Sequence, residues 1–274
     1  MSIAQTVPDF AKLKTQQHGA WSSGDYAVVG ATLQIVGEEL CEALDLRAGQ
    51  SVLDVAAGNG NASLAAARRW CAVTSTDYVP ALLARGKARA AADGLTITFQ
   101  EADAEALPFA EASFDVVVST FGVMFTPDQD KAAAEMLRVC RPGGRIGLAN
   151  WTPQGFIGQM FKTLGQFLPP PAGARSPALW GTRERLTELF GGGAASIAAE
   201  PRDFIFRYRS PAHFLDVFAT CYGPMLKALA ALAEDRRTAL LAELQALIGR
   251  FNRADDGTMV APGEYLEVVV VKKG

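Results

Sequence analysis

Positive charge is sparse and scattered in this sequence. Lys+Arg total 26 against 29 for Asp+Glu over 274 residues, the formal net charge is -3, and there is no basic run. Binding to a phosphate backbone requires a concentrated basic footprint, so nucleic acid is not an expected partner. Histidine is rarer still, with two residues, and the four cysteines (Cys41, Cys71, Cys140, Cys221) lie far apart with no C-x-x-C pair. Neither a metal site nor a disulfide framework is expected, and unpaired thiols suit a reducing cytoplasm. Apolar runs are broken by charges or turn residues well short of the ~18 residues that span a bilayer. The start, MSIAQTVPDFAK, lacks a basic segment followed by an apolar one. These features predict a cytoplasmic protein with no membrane span. Apolar residues are plentiful, at 49%, enough for a chain of this length to bury a substantial single core.

From about Gln34 to Trp151, short β-rich runs alternate with alanine-rich helical runs, the pattern of βαβ units around a parallel sheet. The expected strands are SVLDVA, AVTSTDY, ITFQEA, FDVVVST and GRIGLAN. The expected helices between them are NASLAAARRW, PALLARGKARAAA and QDKAAAEMLRVC, with LQIVGEELCEALDL as a helix ahead of the first strand. Pro142, Gly143 and Gly144 read as a helix stop and a turn into the fifth strand. The polar segment KTQQHGAWSSGDYAVVG is rich in Gly and Ser and is a candidate flap.

After Trp151 the alternation stops. LPPPAGARSP is a stiff loop, TRERLTELF a short helix and RDFIFRYR a strand; Pro211 to Arg253 is mostly helical, with one long run PMLKALAALAEDRRTALLAELQALIGRF, before a last strand YLEVVVVKK. The helical excursion is either a cap over the active-site edge or a helix packed on the scaffold. The chain thus divides into a flap (1–33), a cofactor-binding core (34–151), a substrate-side region with the helical insertion (152–264) and a final strand (265–274), all in one domain.

SVLDVAAGNGNAS is the most informative stretch, because a strand ends there in a glycine-bearing turn and a helix begins at once. Gly58 and Gly60 let backbone approach a ligand where a Cβ would intrude, with the N–H groups of the helix start beyond them. Asp77 follows at a spacing close to the ~20 residues at which an acid meets ribose hydroxyls in doubly wound sheets. A dinucleotide fingerprint needs a third small residue for helix packing. Counting from Gly58, that place holds Ser63; counting from Ala56, it holds Asn61, and neither completes the pattern. S-adenosylmethionine carries adenosine without phosphate, together with a sulfonium, an ammonium and a carboxylate. A looser turn beside a carboxylate such as Asp54 suits it better than NAD.

Four blocks in order, VLDVAAGNGN, STDYVPALLARGKARA, EADAEALPFAEASFDVVVSTFGVMF and MLRVCRPGGRIGLANW, resemble the class I S-adenosylmethionine-dependent methyltransferases, in particular the branch of ubiquinone and menaquinone biosynthesis. The resemblance implies an α/β, Rossmann-like doubly wound sheet of seven strands in the order 3-2-1-4-5-7-6, with YLEVVVVKK as its antiparallel last strand. It also implies the site. Asp54 and the turn Ala56, Gly58, Asn59 and Gly60 hold the methionine end of the cofactor. Asp77 accepts from the ribose hydroxyls with Tyr78 beside the adenine, Asp103 takes the adenine amino group, and the backbone of Ala104 reads the ring. Ser119 and Thr120 face the amino acid portion and Phe121 walls the reaction site. Ala56 is a departure, since the family often has Gly there.

A sulfonium already activates its methyl group, so the protein's main task is to place a nucleophile in line, and a general base is needed only for a protonated one. His18 is the candidate base, with His213 as the lesser choice. Trp21 and Tyr26 in the flap, with Met124 and Trp151, are expected to line the substrate pocket, alongside Phe125 and Phe156. Together they suggest a small apolar or aromatic metabolite as methyl acceptor and S-adenosylhomocysteine as the released product. An NAD-dependent oxidoreductase, a non-catalytic cofactor-binding protein and an enzyme of this fold that uses the cofactor for another reaction are the alternatives.

Overall fold

A computed structural model describes residues 9–171 and 173–274. Residues 1–8 of the expected flap lie outside this range, as does Ala172 in the proline-bearing loop. The strands are β1 (Ser51–Val55), β2 (Ala72–Asp77), β3 (Thr98–Glu101), β4 (Phe114–Thr120), β5 (Cys140–Trp151), β6 (Ala194–Tyr208) and β7 (Met259–Lys272). They form one sheet in the order β3-β2-β1-β4-β5-β7-β6. The first five run parallel, while β7 is antiparallel to both β5 and β6, which is the topology expected from the sequence blocks.

Local chemistry accounts for the central elements. Val52, Leu53 and Val55 of β1 and Val116, Val117 and Val118 of β4 are fully buried, as strands covered by helices on both faces require. The helix α4 (Asn61–Arg68) buries Asn61 through Ala67 without a break, because its short side chains allow close approach to the sheet. It packs against α3 (Gln34–Ala43), and α5 (Pro80–Ala92) and α6 (Gln129–Val139) complete the covering of the parallel half. The chain order reverses between β1 and β4, and the carboxyl ends of β1, β2 and β4 open there into a crevice.

Four expectations are corrected. The flap is largely helical, with α1 (Phe10–Trp21) and α2 (Tyr26–Gly30); Asp9 accepts the Lys12 N–H at 3.0 Å and caps α1. Pro142, Gly143 and Gly144 do not separate helix from strand. α6 ends at Val139, β5 begins at once, and these residues loop out of the ladder between the pairs Phe114–Cys140 and Val116–Arg145.

The last two strands are longer than their β-branched segments. β7 begins at Met259, and β6 begins at Ala194, where the alanine-rich stretch pairs with Val268 to Lys272. The long helical run divides into α10 (Gly223–Ala231) and α11 (Glu234–Phe251). Arg237 donates to the carbonyls of Leu229 and Leu232 at 3.0 and 3.1 Å, closing the end of α10, while Glu234 and Asp235 favour a fresh helix start.

The remaining helices are α7 (Phe156–Phe167), α8 (Arg183–Phe190) and α9 (Pro211–Cys221). α9 packs on α2 and α10, and α10 on α1, so the insertion and the N-terminal helices form one layer beside the crevice.

Candidate active site

The crevice is open to solvent and is lined by residues that follow β1, β2, β3 and β4 and by residues of α1 and α2. Its floor is the turn after β1. Ala56, Gly58 and Gly60 all have positive φ, at 52°, 57° and 84°, and Gly60 stands at the start of α4 in the left-handed conformation that glycine tolerates. The Ala57 N–H reaches the Thr76 carbonyl at 2.8 Å, which fastens the turn to β2. Arg89 of α5 donates to the Asn59 carbonyl at 2.7 Å and to Asn61 Oδ1 at 2.8 Å.

Two buried acids organise this floor. Asp77, at the end of β2, accepts the Gly58 N–H on Oδ2 and the Val79 N–H on Oδ1, both at 2.9 Å. Burial nevertheless pushes its carboxyl up to about 6, against the pull of those N–H groups. Asp54 lies below the turn, not on the wall. Its Oδ2 accepts from the Ser63 N–H at 2.8 Å and from Ser63 Oγ at 2.6 Å, while Oδ1 has no partner. Burial pushes it up to about 7, and the neighbouring Asp77 charge adds to the effect.

The structure brings Ala56, Gly58, Asn59, Asp77, Tyr78, Asp103, Ala104, Thr120 and Phe121 together in the lining of one pocket, with Trp21 from α1 and Tyr26 from α2. Asn59 is 2% exposed and its Nδ2 is an orphaned donor. Phe121 holds a φ of 59°, an uncommon conformation for a bulky residue and one that marks functional walls when the surroundings enforce it. Here Trp151 lies flat against its ring, with centroids 3.9 Å apart and 4° between planes.

Other expected residues stand elsewhere. Trp151 is buried behind Phe121 and does not reach the wall, and Met124 and Phe156 are fully buried in the core. Ser119 is a tie under the floor: its Oγ donates to the Val55 carbonyl at 2.7 Å and accepts the Val123 N–H at 3.0 Å. Gly60 serves the turn but not the wall. His18 projects from the exposed side of α1, edge-on to the Tyr78 ring at 5.2 Å, and does not line the pocket. Ser210 caps α9 by accepting the His213 N–H on its hydroxyl at 3.1 Å, and the His213 ring accepts the Arg209 N–H on Nδ1. Neither histidine is among the residues that line the pocket.

Lys14, Gln17, Leu33, Glu105 and Gly122 line the pocket without having been foreseen. Once α1 is a helix, Lys14, Gln17 and Trp21 fall at i, i+3 and i+7 on one face; that spacing was the available signal. Trp21 closes one end, packed edge-on to Tyr26, Phe125 and Tyr222 at 5.4, 4.9 and 5.5 Å.

The donor set suits S-adenosylmethionine. Among the described wall residues stand three carboxylates, Asp77, Asp103 and Glu105, and one cation, Lys14, already bound to two of them. A sulfonium and an ammonium meet acids here, and the orphaned Asn59 amide suits a carboxylate.

A family profile described as a methyltransferase domain matches residues 52–144. The chain is 38% identical over 276 residues to an uncharacterized protein of Mycobacterium tuberculosis, covering 100% of both. It is 38% identical over 127 residues to the demethylmenaquinone methyltransferase of Deinococcus radiodurans, across 45% of this chain and 53% of that one. The YcgJ protein of Bacillus subtilis shares the fold, with a TM-score of 0.60 at 18% identity over 87% of this chain and 98% of that one. With the strand order and the four sequence blocks, these similarities place the chain in the class I methyltransferase family, whose members take their methyl group from S-adenosylmethionine.

Proposed function

We propose that the chain methylates an O, N or C nucleophile on a small, apolar or aromatic metabolite in the cytoplasm, and that it does so by alignment, without a general base. The observation that carries this reading is the mixed lining of the pocket, with the acids Asp77, Asp103 and Glu105 and the orphaned Asn59 amide beside the aromatic residues Trp21, Tyr26, Phe121 and Phe125. The demethylmenaquinone methyltransferase resembles under half of this chain, so the acceptor is argued from these aromatic residues alone. The described residues of 1–33 and 152–264 then serve the core as one domain, closing its open side.

Bound S-adenosylmethionine supplies an electrophilic methyl on sulfur. The protein's own residues bind, orient and exclude water. Asp77 accepts from the ribose hydroxyls, with Tyr78 beside the base. Asn59 and the turn Ala56–Gly60 hold the amino acid end, supported from below by Asp54 and Ser119, with Thr120 at its side. Asp103 and the Ala104 backbone take the adenine. Tyr26 is partly buried and its phenol is pushed above its ordinary range, first by burial and then by the Asp77 charge. It therefore stays neutral and offers a hydroxyl without a charge to desolvate. Holding an acceptor in line in such a dry site is worth up to ~7–11 kcal/mol of barrier.

A ligand-induced melting shift tests the reading. S-adenosylhomocysteine at 100 times its dissociation constant adds about 2.7 kcal/mol of stability, and NAD adds none. A shift with NAD and not with S-adenosylhomocysteine overturns the reading. A screen of phenolic and other apolar acceptors with labelled S-adenosylmethionine then identifies the methylated class.

A further inference from the structure

Among the described residues that line the pocket, none belongs to 152–264, yet that region packs directly against two that do. Tyr222, at the junction of α9 and α10, is 5% exposed. Its ring meets Trp21 edge-on at 5.5 Å and lies tilted against Tyr26 at 6.3 Å. The backbone corners that carry these rings also interlock. A Cβ on Gly24, between α1 and α2, would stand 2.7 Å from the Cys221 carbonyl oxygen, and one on Gly223 would run into the Ala20 carbonyl. Each corner needs its glycine to let the other approach. Tyr222 also meets Phe218 at 5.3 Å, Phe218 is stacked on Phe214 at 4.0 Å, and Phe214 stands edge-on to Phe206 at 6.0 Å. Phe206 in turn lies 5.7 Å from Trp151, the ring stacked on Phe121. Trp21 and Phe121, both in the pocket lining, thus lean on one block of rings supplied by β6 and α9.

We propose that Tyr222 is a positioning residue that determines specificity: its ring fixes Trp21 and Tyr26, and so limits the space beside the methyl group to be transferred. The proposal rests on the reading of these aromatic residues as the acceptor end of an S-adenosylmethionine pocket. Of the three rings that meet Trp21, Tyr26 and Phe125 line the pocket themselves and Tyr222 does not. An interior packed to crystal-like density passes the displacement of one ring on to its neighbours, and rings in edge-on contact hold a preferred distance and angle. Without the Tyr222 ring the Trp21 indole has room to withdraw. The ring carries this role, not the hydroxyl. The insertion thereby acts on the acceptor from one layer behind, without touching it.

Calorimetric titration with S-adenosylmethionine and its S-ethyl homologue tests the assignment, since the two differ by one methylene at the sulfur. The proteins are the unmodified chain, Tyr222→Phe, Tyr222→Leu, Gly223→Ala and Leu186→Ala. Leu186 is fully buried in α8, whose main partners include α6 and β6, so its truncation loosens the fold away from Tyr222. One methylene in a fitted apolar pocket is worth roughly tenfold or more, and the unmodified chain is expected to bind the S-ethyl compound more weakly by that factor. Tyr222→Phe and Leu186→Ala are expected to keep this ratio, the latter with a lower melting temperature. Tyr222→Leu is expected to bring it close to one, and Gly223→Ala, which displaces the same corner with the ring intact, to change it too. The proposal is overturned if both of these variants keep the parent ratio, if Tyr222→Phe or Leu186→Ala loses it, or if the unmodified chain binds the two compounds equally. An unmodified chain that binds neither compound instead brings down the pocket assignment, and the proposal with it.

Discussion

Asp77 accepts the backbone N–H of Gly58 at 2.9 Å, so the acid at the end of β2 and the glycine turn after β1 form one unit. The contact sets the height of the turn relative to the carboxylate, and with it the distance between the two ends of a bound cofactor. Asp77→Asn replaces an acceptor by a donor on one side while keeping the volume. Charged hydrogen bonds contribute about 1.5–3 kcal/mol each, so S-adenosylhomocysteine is expected to bind roughly ten- to a hundredfold more weakly. The variant should unfold in a single transition like the parent. Calorimetry showing unchanged affinity removes Asp77 from the ribose subsite.

The same acid makes the site sensitive to pH. Asp77 and Asp54 are raised by burial to about 6 and about 7 from an ordinary 3.8. Between those values the folded chain binds more protons than the unfolded one, so stability falls as pH rises. The contribution is complete below about pH 4 and is lost as pH passes through 6 to 7. The ligand-free protein is therefore expected to melt at higher temperature at pH 5.5 than at pH 7.5. Affinity for S-adenosylhomocysteine runs the opposite way, weakening below about pH 6 as Asp77 gains a proton. Asp77→Asn removes the affinity trend and leaves the part of the stability trend that Asp54 carries. Parallel movement of melting temperature and affinity with pH contradicts the assignment.

The parallel strands, the glycine turn and Asp77 are legible in the sequence because each depends on local signals: Val-rich runs, a turn with glycines at fixed offsets, an acid closing a strand; the sheet order comes only with the resemblance of the four blocks to a known family. α1 is not. Its segment contains Gly19 and buries only Leu13, so no apolar stripe announces a helix, and Lys14 and Gln17 go unnoticed with it. Trp151, Met124 and Phe156 show why aromatic and sulfur side chains mislead. Sequence gives their position along an element but not their depth, and a few ångströms separate a wall from the layer behind it. The start of β6 is a third kind of failure, since its alanines are extended only because β7 lies beside them.

Trp151 supports the wall from behind. It is 5% exposed, stacked on Phe121, and within 5.7 Å of the Phe206 ring centroid. Trp151→Ala is expected to cost about 3–5 kcal/mol in denaturant unfolding. Any folded protein should still bind S-adenosylhomocysteine, because the polar contacts lie on the other side of Phe121. A loss below 1 kcal/mol shows that the stack is not a structural prop.

Ala56 and Gly122 form the closest backbone approach on the floor, and they are expected to respond in opposite senses. A Cβ built on Gly122 lies 2.0 Å from the Ala56 carbonyl oxygen and 2.8 Å from its Cβ. Both neighbours are held by the sheet, so Gly122→Ala must displace the turn, at a cost typical of overpacking, about 1–3 kcal/mol. Cofactor affinity should fall with it, because Ala56 leads directly into Gly58. At position 56 the methyl group stands at a φ of 52°, a left-handed conformation that costs an L-residue ~1–2 kcal/mol. Ala56→Gly relieves that strain but adds ~0.4–1 kcal/mol of freedom to the unfolded chain. Its net effect is expected to be zero to about 1 kcal/mol stabilising, with S-adenosylhomocysteine affinity retained. Thermal melts of the two variants, each with and without that ligand, separate the outcomes: a Gly122→Ala protein that melts and binds like the parent shows that the turn is free to move.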